Sequence, residues 1–87
     1  MEKTFFTTKD INNSNYMEIG IDENYPVLYV YKDDELFDWH FFGATFAQEM
    51  SNLINCYKIT HNEEPSMNTI ILFRNICKAL KDSGIIK

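Results

Sequence analysis

Four side chains of metal-binding type occur in the 87-residue chain: His40, Cys56, His61 and Cys77. Zinc favours four nitrogen or sulfur ligands, usually arriving as pairs two to five residues apart. Here the intervals are 16, 5 and 16 residues, with no Cys-x-x-Cys, so the expectation is no metal and no other cofactor. A cysteine beside His40 or His61 could act as a nucleophile, but no glycine-bearing elbow or basic neighbour marks a low-pKa thiol. His40 stands two residues from Asp38, a spacing that puts both on one face of a strand and permits an imidazole–carboxylate contact. A structural pair explains that spacing without catalysis, so no catalytic residue and no enzyme activity are expected.

Phosphate cradles require clustered glycines, and Gly20, Gly43 and Gly84 are widely separated. Asp33, Asp34, Glu35 and Asp38 lack the alternating oxygen ligands and central glycine of a calcium loop, so they read as a solvated turn. Arg74, Lys78 and Lys81 recur at i, i+4 and i+7 on a candidate helix. No glycine-rich loop or stacking platform accompanies them, and the net charge of −5 disfavours direct nucleic-acid binding. They could instead dock on acids of a second copy, giving a possible homodimer.

The residues with the best claim to function are acidic and aromatic. Asp22, Glu23 and Tyr25 surround one candidate turn. Tyr29, Tyr31, Asp33, Asp34 and Glu35 lead into and surround the next, with Asp38, Trp39 and His40 following. Rings that fill pockets among carboxylates that steer and pair suit a basic protein surface. Between Asp10 and Glu64 eleven acids oppose Lys32 and Lys58, a net of −9, whereas Arg74, Lys78, Lys81 and Lys87 oppose only Asp82 beyond Pro65, a net of +3. How many of the rings remain exposed separates an interface from an ordinary sheet.

The elements that must carry these residues follow from periodicity. Thr4–Thr8 is β-branched and aromatic, a possible edge strand. Met17, Ile19 and Ile21 alternate with polar neighbours, as in a half-buried strand. Val27–Tyr31 is apolar on both faces, as in a central strand. Phe37, Trp39 and Phe41 alternate with Leu36, Asp38, His40 and Phe42. The turn at 32–35 should reverse the chain, because Asp tolerates turn dihedrals. Phe46, Met50, Leu53, Ile54 and Tyr57 form a helical stripe behind the capping pair Thr45 and Gln48. Ile70, Phe73, Cys77 and Leu80 form another, capped by Ser66 and ended by Gly84, although Thr69–Phe73 also suits a strand. The expected fold is α+β: an antiparallel three- to four-stranded meander within residues 3–42, then helices over about 44–58 and 67–83 packed on one face, in a single domain spanning 1–87.

Length and composition set the bounds. A chain of this size buries only about 60–65% of its unfolded surface, which leaves little for a deep cleft. Its 45% hydrophobic and 15% aromatic content predicts autonomous folding. No apolar run approaches the roughly 18–20 residues of a membrane span, and the start lacks a secretory pattern, so a cytoplasmic chain with reduced cysteines is expected. The functional expectation is a small acidic inhibitor of immunity-protein type, neutralising a nuclease toxin by occupying its basic cleft. The alternatives are a phage-encoded inhibitor or nucleic-acid mimic acting on a host defence complex, and a structural homo-oligomeric subunit.

Overall fold

The alternation of Met17, Ile19 and Ile21 and the apolar run from Val27 become neighbouring strands in the computed structural model, which describes residues 3–87. The element order is β1 (Lys3–Thr7), β2 (Tyr16–Asp22), β3 (Tyr25–Lys32), β4 (Glu35–Phe41), α1 (Phe46–His61) and α2 (Met67–Asp82), an α+β fold. The strands form one antiparallel sheet in sequential order, β1-β2-β3-β4. The chain divides into two compact units, one ending at Phe42 and the other spanning Gly43–Lys87.

In the sheet unit, two-residue hairpins join β2 to β3 and β3 to β4. Both use left-handed backbone at both central positions, Glu23 (φ 51°) with Asn24 (φ 69°) and Asp33 (φ 54°) with Asp34 (φ 63°). That pairing matches the twist of the flanking strands. Met17, Ile19 and Leu28 share one buried face, since Ile19 lies opposite Leu28 and Met17 opposite Val30. Pro26, which has no N–H to donate, sits at the start of β3, where its carbonyl accepts from the Phe42 N–H at 3.3 Å.

Both edge strands carry a bulge, and in each the extra residue is an exposed Phe. Phe5 is skipped between Thr4 and Phe6 in β1, and Phe37 between Leu36 and Asp38 in β4. The second bulge breaks the alternation expected over 36–42. Leu36, rather than Phe37, lies opposite Tyr31 and so joins the face of Trp39 and Phe41.

In the helical unit, the Thr45 hydroxyl accepts from the Gln48 N–H at 3.2 Å and the Ser66 hydroxyl from the Thr69 N–H at 3.2 Å, the two expected N-caps. Thr69–Phe73 is helical; its β-branched residues lie inside a sixteen-residue helix that buries Phe73, Cys77 and Leu80. Helix α1 runs to His61, past the expected end near residue 58, because the stop is the left-handed Asn62 (φ 55°) rather than the polar Lys58. The helices meet through Tyr57 and Phe73, edge to face at 6.3 Å. Gly84 (φ 80°) turns the chain back, the Ile85 N–H donates to the Leu80 carbonyl at 2.9 Å, and Ile86 is buried.

Candidate protein-interaction surface

Strand register assembles an aromatic platform on the sheet face opposite Met17 and Ile19. Tyr25, Val27, Tyr29 and Tyr31 of β3 share that face with Trp39 and Phe41 of β4, because Tyr29 lies opposite Trp39 and Val27 opposite Phe41. Tyr16 of β2 lies opposite Tyr31, and their rings stack at 4.7 Å. Phe41 packs edge to face on Trp39 at 5.0 Å and on Tyr25 at 5.5 Å. Val27, Tyr29 and Tyr16 are buried, but Trp39, Phe41 and Tyr25 keep 54%, 47% and 43% of their surface in solvent. A hollow of about 130 Å³ lies among Asp22, Val27, Tyr29, Trp39 and Phe41.

The acids do not form one cluster. The turn at Glu23 and Asn24 and the turn at Asp33 and Asp34 lie at opposite ends of the eight-residue β3, about 25 Å apart at roughly 3.3 Å per residue. Asp22 and Glu23 therefore accompany Tyr25, Trp39 and Phe41, while Asp33, Asp34 and Glu35 accompany Tyr31 at the far end. That far turn is also tied down. The Asp34 N–H donates to the Ser14 carbonyl at 2.8 Å, the Asp33 N–H to Asn15 Oδ1 at 3.0 Å, and the Asp34 carboxylate pairs with Lys9 at 3.3 Å. Lys9 stands one residue before the acidic stretch and offsets part of its charge; the same ammonium lies 4.9 Å above the Tyr16 ring.

Asp38 and His40 fall on the other face, opposite Val30 and Leu28. The Asp38 carboxylate accepts from the N–H of Trp39 at 2.8 Å, and the His40 ring meets Phe42 edge to face at 5.8 Å. Phe41 was legible in the sequence only as a neighbour of Trp39 in the alternation. Tyr29 was marked by the sequence, whereas Val27 belongs to the hollow through register alone.

In the helical unit, Arg74, Lys78 and Lys81 are all exposed on α2. Cys77 is fully buried, and burial, reinforced by the nearby Glu49 carboxylate, pushes its thiol up to about 11. Cys56 is half-buried, and neither cysteine is in a disulfide. Tyr57 stacks on His61 at 4.4 Å, and its hydroxyl is raised by burial and then by the Glu63 charge. Periodicity misses Glu49, a fully buried carboxylate. Its Oε2 accepts from the N–H groups of Gly43 at 2.9 Å and Ala44 at 3.2 Å, and its Oε1 from Asn52 at 2.9 Å. Among the described residues, no group of three or more His, Cys, Asp or Glu is gathered where it could hold a metal ion. No helix there is long and apolar enough to cross a membrane.

Comparison with protein-family models, curated proteins and solved structures finds no match to this chain.

Proposed function

We propose that this chain is a protein-binding inhibitor of immunity type, a cytoplasmic antitoxin that neutralises a nuclease by covering its basic cleft with the aromatic sheet face. One observation carries the reading: Tyr25, Trp39 and Phe41 pack ring against ring yet stay about half exposed. Exposed rings cost solvation unless a partner covers them, and clustered aromatics dominate the energetics of protein interfaces. Charge supports the choice of partner. The residues up to Phe42 carry three cations against nine acids, a net of −6, which attracts a cationic surface and repels nucleic acid.

In this reading the contact lies at the Asp22 end of the sheet, where the exposed rings cluster, and Asp33, Asp34 and Glu35 steer from the far turn. The test is capture from a lysate of the source cell at low salt, followed by a nuclease assay on whatever is retained. The expected result is a basic nuclease whose activity falls to completion at one equivalent of the chain. Loss of inhibition is expected with Trp39→Ala and with charge reversal at Asp22 and Glu23. Capture of a protein that the chain leaves fully active would end this reading.

A further inference from the structure

The hollow at the Asp22 end combines features that a flat aromatic patch lacks: two exposed rings set at an angle and a carboxylate around one space of about 130 Å³, with the buried Val27 and Tyr29 beneath. We propose that it is a socket for the ammonium group of a lysine side chain presented by the partner, an inference that rests on reading this face as a docking surface.

Aromatic faces attract cations through their quadrupole, most strongly on Trp, and the attraction grows when the cation is partly desolvated. The rings of Trp39 and Phe41 stand at 76°, so they frame a corner rather than a parallel slot. A planar guanidinium stacks best along a single flat face or between parallel ones, whereas a compact ammonium on a flexible stem can enter a corner. Asp22 supplies the opposite charge at the rim. The exposed faces of Trp39 and Phe41 supply apolar surface for the methylenes above a floor closed by the buried Val27 and Tyr29, in the way that lysine stems lie along apolar surface while the head stays polar. Gly20, opposite Val27 in the register, places no side chain on this face between Glu18 and Asp22.

Trp39 is the sole tryptophan, which makes its indole N–H an unambiguous reporter. The experiment is an NMR titration of the full chain with N-acetyl-lysine methylamide, its norleucine counterpart, which lacks only the ammonium, and its arginine counterpart. The lysine probe should shift the Trp39 indole and the amides of Asp22, Val27 and Phe41, saturating with a dissociation constant on the order of 1–10 mM for a ligand of this size. The norleucine probe should bind at least about fivefold more weakly, and Asp22→Asn should cost the lysine probe a similar factor. Asp22 is exposed at a strand end, so the variant's melting temperature should not change. Equal binding of norleucine would leave only an apolar hollow and overturn the socket. Tighter binding of arginine would overturn the assignment to an ammonium. Shifts spread equally over Asp33, Asp34 and Glu35, or no saturation by about 100 mM, would also overturn it. Neither of these last results touches inhibition of a captured nuclease, so the socket can fail while the docking face stands.

Discussion

At the residue scale, the Glu49 carboxylate takes the place of water for two backbone amides ahead of α1 and for one side-chain amide within it. With all three donors directed at a fully buried group, truncation strands donors as well as opening space. Glu49→Ala should therefore lower the unfolding free energy by about 2–4 kcal/mol, measured by urea denaturation. A loss under about 0.5 kcal/mol would show that water replaces the carboxylate without penalty. Cys77 makes a second prediction at this scale. Its folded thiol holds the proton to about 11 against an ordinary value of 9.0, so the folded state binds more protons than the unfolded chain between those values. The contribution is fully present below pH 9 and is lost as pH rises toward 11, so that stability falls across this window. At pH 8 a thiol reagent should label Cys56 quickly and Cys77 only after unfolding, and equal rates would contradict the burial.

At the element scale, β4 is an edge strand whose outward groups invite pairing, and the fold limits that hazard with a bulge and a carboxylate. Because Phe42 donates inward to Pro26, alternation turns the Trp39 N–H outward, where Asp38 occupies it. Asp38→Ala should expose that donor and remove a charge from the edge. The expected outcome is concentration-dependent self-association by sedimentation at a concentration where the parent chain is monodisperse; an unchanged profile would mean that the bulge alone protects the edge. The hairpin at Glu23 and Asn24 gives the opposite sign. Glutamate has no local hydrogen bond that favours a left-handed backbone, so replacing the pair by Asn-Gly should raise stability by about 1 kcal/mol, read from thermal melting. Ser66→Ala, which removes the N-cap of α2, should lower it by about 1 kcal/mol.

At the scale of the whole molecule, charge is divided as sharply as structure. The sheet unit carries −6, while Gly43–Lys87, with five cations against four acids, carries +1. Association with a cationic protein through the sheet should thus slow steeply with added salt, while the dissociation rate, set by buried rings, should change little. Stopped-flow fluorescence of Trp39 measures both rates, and a salt-independent association rate would remove the steering role from the acids.

Periodicity and local chemistry were sufficient for the elements because both act over a few residues. Alternation at Met17, Ile19 and Ile21, the Asp pair in the 32–35 turn, the caps at Thr45 and Ser66 and the left-handed Gly84 each determine backbone that their neighbours then obey. Composition likewise determined the acidity of the sheet half. The surface was legible only in part: the sequence marked Tyr25, Trp39 and the acids around them, but not which of them meet. Strand register decided that, separating the two acidic turns by the length of β3, sending Asp38 and His40 to the other face, and bringing Asp22, Val27 and Phe41 around one hollow. The pairing of Lys9 with Asp34 and the burial of Glu49 were equally out of reach. A bulge of one residue reverses side-chain facing, and a buried carboxylate is tolerated only where several donors converge. Both depend on groups brought together in space, a property that residue spacing along the chain does not encode.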